Sequence, residues 1–548
     1  MTLYDYIGDR TYLSSSASIV YPEKGNTGDA TKSNSFTTTW TFNQLLQYTK
    51  TFGRNTIDIL VGHESYDYEY NYLSASMKDQ NFSGNYELAN YANLNATPSS
   101  YTNRYKTEGY LSRLNYDFDD RYFVSASFRR DGSSRFARKS RWGNFWSVGA
   151  GWRIDQEAFM KDLEFVNLLK LRTAYGEVGN DDVGGYYPWR AVYEKAQNAE
   201  EPGYIQSSLG NANLKWEVSR NFDVALEFAL WNRFRGTLEF FNRQSDNLLF
   251  SVPLSPSTGM SNQDMNTGTM YNRGFEVELT YDILQRRDWQ WSVTINTTSM
   301  KNKITKLPVD PYTSSNHRIE EGYSRYNFYL RQFKGVDPAT GSSYYVVDPQ
   351  YLESSESLIE IDGKKYTTKI SEGEYAVVAN AIPTLNGGLT TNVAYKGFSL
   401  TLAFYYQLGG KMYDTSYSSL MSPSTGSLSY QALHVDLLNR WQKPGDITDV
   451  PRISNGSDAT DLTGSSDRWL VSSDMLELTN INFGYAFPRK WTNVLGVNEL
   501  RVFTSANNLF QITARKGIYP RKNVSGYASN GDVYLPSRVF NFGVNVTF

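Results

Sequence analysis

The last ten residues of the chain, 539–548 (VFNFGVNVTF), alternate apolar and polar side chains with a period of two. Phe540, Phe542, Val544, Val546 and Phe548 fall on one side of an extended strand, and the opposite side is mostly polar. Successive side chains of a strand point to opposite faces, so this pattern predicts an amphipathic β-strand. About ten tilted residues cross a bilayer, and a strand that ends on an aromatic residue fits a membrane better than a soluble sandwich.

The same alternation recurs in four internal segments, residues 222–230, 275–282, 289–296 and 398–406. Their polar sides carry carboxylates, among them Glu227, Glu276 and Glu278. The core of a sandwich would bury these charges without partners, which is energetically costly. The pattern therefore favours a membrane barrel with a wet interior.

Composition excludes several classes of protein. Aromatic residues make up 15% of the 548 residues, with 42 tyrosines, and no run of 18 or more apolar residues occurs. Helical membrane spans are thereby excluded, whereas aromatic girdles at the two interfaces of a barrel would explain the tyrosines. The net charge of −3 indicates no nucleic-acid partner, and the absence of cysteine excludes disulfides and thiolate sites.

The connections between the predicted strands alternate in length. Short turns are predicted at 117–120, 231–233 and 396–397, and long polar stretches at 79–101, 179–213, 307–322, 350–381 and 413–474. Short turns on one side and long loops on the other are typical of outer-membrane barrels. We therefore predict an all-β fold, a transmembrane antiparallel β-barrel with long extracellular loops and roughly sixteen strands in this chain. None of the loops is predicted to be a separate domain.

No catalytic, cofactor or metal site is predicted. His63, His317 and His434 are far apart in the sequence, and a zincin-type site would require a second histidine near His63. Segment 25–33 (GNTGDATKS) lacks the Gly-Lys pair of a phosphate-binding loop. Segment 337–341 (DPATG) offers too few oxygen ligands for calcium and is interpreted as a turn. A membrane-embedded hydrolase is accordingly not supported.

Two aromatic clusters are the candidates for ligand contact. Tyr66, Tyr68, Tyr70 and Tyr72 would share one face of a strand, and a second cluster occupies a long loop. The members of the second cluster are Tyr186, Tyr187 and Trp189. Aromatic planes can stack on sugar rings or hold peptide side chains. The alternatives are an interfacial girdle for the first cluster and packing within the loop for the second.

Several motifs go beyond the general pattern of a barrel. They are residues 130–136 (RDGSSRF), 145–154 (FWSVGAGWRI), 169–180 (LKLRTAYGEVGN), 321–341 (EGYSRYNFYLRQFKGVDPATG), 439–452 (NRWQKPGDITDVPR), 475–488, 500–510 and the C-terminal strand. In this order they resemble the SusC and RagA family of TonB-dependent transporters of the Bacteroidetes outer membrane. One departure is Leu330, at a position where the family pattern has glycine.

The resemblance implies the C-terminal portion of a longer transporter. Nothing in residues 1–548 resembles the family's signal peptide, carboxypeptidase-like domain or plug. Outer-membrane transporters of this kind close with about 22 strands around a plugged lumen. We therefore expect residues 1–548 to be the barrel portion, either completed by an upstream segment or the product of a broken gene or a partial sequence.

The resemblance further implies energised import of a nutrient across the outer membrane. A SusD-like surface lipoprotein would capture the ligand, and the TonB complex would act through the upstream portion. Glycans are the first expectation for the ligand and oligopeptides the second, and two transporter–lipoprotein pairs could associate as a dimer. The alternative function is a passive outer-membrane pore or structural barrel without energised transport.

Overall fold

β-strands dominate the chain, as the alternating pattern predicts. The computed structural model describes residues 2–17, 28–198, 201–422, 433–453, 464–522, 524–528 and 536–548. The strands of these residues, numbered in chain order, are β1 (Thr2–Ala17), β2 (Asp29–Phe52), β3 (Asn55–Gln80), β4 (Tyr91–Phe118), β5 (Tyr122–Ser133), β6 (Trp142–Arg153), β7 (Val166–Asn180), β8 (Val192–Asn198), β9 (Glu201–Ser208), β10 (Glu217–Leu230), β11 (Phe234–Asp246), β12 (Leu249–Pro253), β13 (Asn262–Asn266), β14 (Thr269–Gln285), β15 (Trp289–Lys306), β16 (Tyr312–Ser314), β17 (His317–Ile319), β18 (Asn327–Arg331), β19 (Phe333–Val336), β20 (Ser343–Val346), β21 (Leu358–Ile361), β22 (Lys364–Thr367), β23 (Tyr375–Asn380), β24 (Leu385–Tyr395), β25 (Phe398–Leu408), β26 (Lys411–Asp414), β27 (Leu470–Ser472), β28 (Met475–Ala486), β29 (Glu499–Thr513), β30 (Tyr527–Ala528) and β31 (Val539–Thr547).

Helices are short and few among the described residues. The α-helices are α1 (Thr415–Leu420) and α2 (Arg489–Val494). Single 3₁₀ turns occur at Leu88–Asn90, Ile154–Gln156, Ala158–Met160, Pro256–Thr258, Pro349–Tyr351, Ile370–Glu372, Val435–Asn439, Asp467–Trp469 and Pro520–Lys522. In the described part of the chain, no helix is both long and apolar enough to span a membrane.

Sixteen strands form one large sheet, which confirms the predicted fold class and strand number. Their order is β1-β2-β3-β4-β5-β6-β7-β10-β11-β14-β15-β24-β25-β28-β29-β31. Neighbours in the sheet therefore follow one another along the chain, and the remaining strands lie in the connections between them. Neighbouring strands such as β2 and β3, or β24 and β25, pair antiparallel.

The predicted short turns are confirmed by their backbone geometry. Trp231 and Asn232 between β10 and β11 both have positive φ, and so do Lys396 and Gly397 between β24 and β25. Tight hairpins with this left-handed geometry match the natural twist of the strands they join. Short and long connections consequently alternate along the sheet.

The prediction of a long loop at residues 79–101 is largely wrong. Strand β3 continues to Gln80 and β4 begins at Tyr91, so only residues 81–90 connect them. The register shifts between Ser74 and Ser76, opposite the part of β4 that contains Pro98. Such bulges accommodate a proline within a sheet. In residues 92–97 of β4, Ala92, Leu94 and Ala96 alternate with polar residues, but two of these three side chains are small, so the signal is weak.

The apolar faces of the strands are exposed on the protein surface. In β31 the exposed fraction is 59% for Phe540, 82% for Phe542 and 61% for Val544. On β14 and β25, Phe275 and Phe398 are also exposed. Large apolar side chains in such numbers at a surface require an apolar solvent, as the outward face of a membrane barrel has.

The chain divides into two compact units. Unit 1 comprises Met1–Arg153, Arg172–Phe222 and Gln244–Thr269. Unit 2 comprises Ile154–Leu171, Asp223–Arg243 and Met270–Phe548. Unit 1 includes the hairpins β8–β9 and β12–β13, which lie in the long connections that follow β7 and β11.

In unit 2 the long connections fold together around a core of their own. This loop core consists of Phe328, Leu330, Ala381, Tyr413, Met421, Leu437, Val450 and Trp469, all nearly inaccessible to solvent. Phe328 and Leu330 belong to the small sheet of β16, β17, β18 and β23, and Tyr413 belongs to the sheet of β26, β27 and β30. Strands β19–β22 form a third small sheet. Leu330, which replaces the glycine of the family pattern, is completely buried in the loop core. The position therefore contributes apolar packing instead of a close backbone approach.

Two of the sequence motifs in unit 2 contact each other. The ring of Trp441 lies directly against Gly341, and the Trp441 indole nitrogen donates a hydrogen bond of 2.9 Å to the Pro338 carbonyl. The Arg452 amide donates to the Gly341 carbonyl at 2.9 Å. The turn interpretation of segment 337–341 is consistent with its internal bonds, because the Asp337 carboxylate accepts from the Ala339 amide at 2.9 Å and from the Thr340 hydroxyl at 2.7 Å.

The residues that were considered as metal-binding or phosphate-binding candidates lie on separate elements. His63 is on β3, His317 begins β17, and His434 precedes the 3₁₀ turn Val435–Asn439. Part of segment 25–33 lies outside the described residues, and the rest, from Asp29, belongs to β2. Within the ranges that the structure describes, no group of three or more His, Asp or Glu side chains could hold a metal ion.

A tyrosine wall as candidate functional site

The polar face of β3 carries the first predicted aromatic cluster. Ile59, Val61 and Leu73 are exposed on the apolar face of this strand, so the even-numbered residues occupy the other face. The even-numbered residues include Asp58, Glu64 and the four tyrosines at positions 66, 68, 70 and 72. These tyrosines are half-buried and do not belong to the exposed apolar band. Their placement disfavours the interfacial-girdle interpretation.

The neighbouring strand β4 extends the cluster. In the antiparallel register Tyr68 lies opposite Tyr105, and Tyr72 lies opposite Tyr101. The Tyr72 and Tyr101 rings are 5.1 Å apart, and those of Tyr66 and Tyr105 are 6.1 Å apart. Tyr101 and Tyr105 were not predicted as part of the cluster, although their spacing with Asn103 shows the same alternation as the tyrosines of β3.

The connection after β7 brings the second predicted cluster to the first. Tyr186 stacks on Tyr68, with ring centroids 6.1 Å apart and planes at 8°. Tyr187 contacts Tyr186 and accepts a hydrogen bond of 3.2 Å from the Arg104 amide. We name the assembly the tyrosine wall; its members are Tyr66, Tyr68, Tyr70, Tyr72, Tyr101, Tyr105 and Tyr186.

Polar contacts anchor the start of this connection. The carboxylate of Asp181 accepts hydrogen bonds from the Tyr105 hydroxyl at 2.7 Å and from the Ser133 hydroxyl at 2.6 Å. Arg135 donates to Asp182 at 3.0 Å, and its guanidinium lies 4.5 Å from the centre of the Tyr105 ring. Ser133 and Arg135 belong to the 130–136 motif, so that motif positions the loop that carries Tyr186.

Trp189 is not part of the tyrosine wall. Its ring contacts the guanidinium of Arg190, 4.3 Å from the ring centre. The indole nitrogen is buried and has no hydrogen-bond partner among the described residues. The three aromatic residues predicted as one loop cluster therefore divide into a pair that reaches β3 and a tryptophan that does not.

Ion pairs lie on the same face of the sheet as the tyrosines, further along the same strands. Arg129 of β5 donates to Glu64 at 2.9 Å and to Asp131 at 2.7 Å. Gly109 lies beneath this group, where a Cβ atom would come within 2.9 Å of the Arg129 guanidinium. The face thus combines accessible aromatic rings with paired charges, a surface that can bind a polar ligand by stacking and hydrogen bonding.

Comparison with known proteins agrees with the predicted resemblance. The family described as TonB dependent receptor-like, beta-barrel matches residues 2–509. The chain is 28% identical over 522 residues to the TonB-dependent receptor SusC of Bacteroides thetaiotaomicron, covering 92% of this chain and 50% of that protein. It is also 28% identical to the TonB-dependent receptor P39 of Formosa agariphila, covering 88% of this chain and 50% of the relative.

A solved structure shows the same fold. The structure of the RagAB peptide transporter matches with a TM-score of 0.85 and 25% identity, covering 99% of this chain and 59% of that one. The chain therefore spans about half the length of the curated relatives it matches. The predictions of family, of location in the outer membrane and of a protein that is not an enzyme are confirmed. The chain belongs to the family of TonB-dependent receptor-like β-barrels.

Proposed function

We propose that this chain forms the wall of an energised importer that moves a nutrient across the outer membrane. The observation that carries the proposal is the tyrosine wall, because it places seven aromatic rings on the polar face of the strands and not on the face exposed to lipid. The polar face of a transmembrane barrel lines its interior. A ligand that passes through the interior would meet these rings.

The chemistry of the wall suits an oligosaccharide first and an oligopeptide second. Flat rings offer apolar faces to the C–H surface of a sugar, and tyrosine hydroxyls can bond to its hydroxyl groups. The neighbouring Arg129, Glu64 and Asp131 already pair with one another. One guanidinium shared by two carboxylates leaves no free cation in this group for the carboxyl terminus of a peptide. The relative named a peptide transporter keeps the oligopeptide as the second candidate.

A SusD-like surface lipoprotein and the TonB complex are the proposed partners. The long connections of unit 2 fold around the loop core and give this chain an ordered surface of loops on which a lipoprotein could dock. The TonB complex would act through the rest of the full-length transporter. Two such transporter–lipoprotein pairs are proposed to form a dimer.

Uptake in living cells tests this proposal. Cells that express the full-length transporter would be given a labelled oligosaccharide, with and without a protonophore that collapses the inner-membrane gradient. An energised importer accumulates the label only in energised cells. Uptake that continues unchanged after collapse of the gradient would contradict the proposal and would favour a passive pore.

Conductance distinguishes the two functions in a purified system. A passive pore reconstituted in a planar bilayer would show steady ion conductance. We expect no steady conductance from the full-length transporter, because a plugged lumen opens only when energy is supplied. Steady open channels together with protonophore-insensitive uptake would establish the pore.

A further inference from the structure

The connection between β28 and β29 lies on the side of the sheet that carries the short turns. It runs from Phe487 to Asn498 and contains the helix α2. The short turn between β24 and β25 is beside it, because the Gly397 carbonyl accepts a hydrogen bond of 2.8 Å from the Ala486 amide. The short turns of an outer-membrane barrel face the periplasm. The connection therefore lies at the inner leaflet of the membrane.

The apolar outer face of the sheet continues into this connection as a series of aromatic rings. Phe398 of β25 and Phe483 of β28 are exposed on that face, with ring centroids 6.0 Å apart. The Tyr485 ring lies 4.4 Å from that of Phe398 and 4.9 Å from that of Phe487. The Phe487 ring lies 5.9 Å from that of Trp491 in α2. The surface that the strands present to lipid is therefore continuous with the helix.

The apolar side chains of α2 and its C-terminal end point away from the protein. Trp491, Val494 and Leu495 follow the i, i+3, i+4 spacing that places side chains on one side of a helix. Their exposed fractions are 54%, 86% and 65%. Thr492 is only 1% exposed, and its carbonyl accepts a hydrogen bond of 3.1 Å from the Val497 amide. The helix is thus fixed to the protein through Thr492, and its apolar side has no partner among the described residues.

The charge of the connection is entirely positive. Arg489 and Lys490 are exposed at the start of α2, and neither forms an ion pair with a described residue. Residues 487–498 (FPRKWTNVLGVN) contain no Asp or Glu. Basic residues beside an apolar side that contains tryptophan are typical of a helix that lies in a membrane interface. The connection is therefore complementary to a surface that is apolar inside and anionic outside.

We propose that α2 lies in the plane of the inner leaflet and binds anionic phospholipids. Trp491, Val494 and Leu495 would insert at the boundary between headgroups and acyl chains, and Arg489 and Lys490 would contact the lipid phosphates. A free helix of this length is unstable in water, but β28 and β29 hold both of its ends at the membrane edge. The continuity of the aromatic rings with the lipid-facing strands favours lipid over a soluble protein as the partner.

The depth of a spin label in the membrane tests the position of α2. The chain contains no cysteine, so Val494→Cys provides a single labelling position in it, and Asn493→Cys provides the matched control on another side of the helix. Each labelled full-length transporter would be placed in phospholipid bilayers and exposed to oxygen and to a water-soluble nickel complex. We expect the ratio of oxygen to nickel collisions to be several-fold higher at position 494, because oxygen concentrates in the bilayer.

Two results of this measurement would overturn the proposal. Equal collision ratios at positions 493 and 494 would place the apolar side of α2 in water. Protection of the label at position 494 from both reagents would mean that another part of the transporter covers this side.

Lipid selectivity tests the role of the two cations. A fluorophore on Val494→Cys would be quenched by brominated phosphatidylglycerol, which is anionic, or by brominated phosphatidylcholine, which is neutral overall. We expect stronger quenching by phosphatidylglycerol. Lys490→Gln should reduce this preference roughly 3-fold to 5-fold, since one cation near an anionic surface contributes a few-fold in affinity. Lys490→Arg should retain the preference.

Lys161→Gln is the matched control for the loss of charge. Lys161 is exposed in the connection between β6 and β7, outside α2, and its substitution should leave the lipid preference unchanged. Equal quenching by the two lipids without a charge substitution, or equal loss of preference in Lys490→Gln and Lys161→Gln, would overturn the assignment of anionic lipid to α2.

Discussion

Aromatic side chains have different roles in the tyrosine wall and in the loop core. In the loop core, Phe328 and Leu330 are fully buried and Trp469 is 2% exposed. In the tyrosine wall, Tyr68 and Tyr186 are only half-buried and stack on each other at a surface. Buried rings stabilise the loops, and accessible rings remain available to a ligand. Substitutions should therefore affect stability in one region and binding in the other.

The largest expected effect is the loss of a ring from the loop core. Phe328→Ala should destabilise the folded loops by about 3–5 kcal/mol, because it removes a fully buried ring and leaves a cavity. Hydrogen exchange of the backbone amides around residues 326–331 and 376–381 would report the change. The control Ile447→Ala removes a side chain that is 93% exposed and should alter protection by less than about 0.5 kcal/mol. Equal protection in the two variants would show that the loop core does not hold the loops together.

The contact between Gly341 and Trp441 is expected to have the next largest effect. Gly341 has a φ of 76°, and an added Cβ atom would meet the Trp441 ring. Gly341→Ala should therefore destabilise the loops by about 2–3 kcal/mol, through both backbone strain and the clash.

Gly363→Ala is a matched control for this contact. Gly363 has a φ of 72° with no atom near an added Cβ, so its substitution carries the backbone strain alone. Chemical denaturation of both variants, followed by tryptophan fluorescence, would separate the two contributions. Equal loss of stability would mean that the motif contact contributes nothing.

A smaller effect is expected for the stack between Tyr68 and Tyr186. The interaction free energy between the two rings should be about 0.5–1.5 kcal/mol. A double-mutant cycle of Tyr68→Ala and Tyr186→Ala would measure it, with hydrogen-exchange protection of the amides in residues 181–191 as the readout. Tyr48, exposed on the apolar face of β2, supplies the control. The effects of Tyr48→Ala and Tyr186→Ala on amide protection should be additive. If the effects of Tyr68→Ala and Tyr186→Ala were additive as well, the stack would not hold the loop.

The smallest expected effect is a pH dependence of the loops. Burial lowers the pKa of His317 below its usual value of 6.5, although its ring nitrogens lie near the carbonyls of Asn327 and Ser525. The folded loops therefore favour the neutral imidazole, and their stability is present above the ordinary pKa and is lost as the pH falls through it. Amide protection of residues 316–330 should decrease between about pH 7.5 and about pH 5. His317→Gln should abolish that decrease, and an unchanged pH profile in this variant would assign it to another group.

Strand faces and short turns were predictable because their signals are local. Alternation identified the apolar face of β31, whose Phe540, Phe542 and Val544 are exposed, and the turn at Lys396-Gly397 lies where the sequence predicts it. The first residues of β4 were missed because their signal is weak. Ala92, Leu94 and Ala96 alternate with Asn93, Asn95 and Thr97, but two of the three apolar side chains are small. Hydrophobic periodicity identifies a strand best where large apolar side chains repeat on one face.

The assembly of the tyrosine wall was predictable only in part. The sequence singled out Tyr68 and Tyr186 but could not show that they stack, since 118 positions separate them and the contact depends on the anchoring of Asp181 by Tyr105 and Ser133. The loop core was missed for the same reason. Its members come from distant polar segments, and each contributes one or two apolar residues with no local pattern.

Ligand binding by variants of the tyrosine wall tests the central claim most directly. Titration calorimetry would compare the wild-type transporter in detergent with Tyr68→Ala, Tyr186→Ala and the control Tyr48→Ala, using an oligosaccharide that the cells import. We predict that each wall variant binds roughly 3-fold to 10-fold more weakly and that Tyr48→Ala binds as the wild type does, because only the wall rings would stack on the ligand. Unchanged affinity in both wall variants would contradict the assignment of the tyrosine wall as the ligand-binding surface.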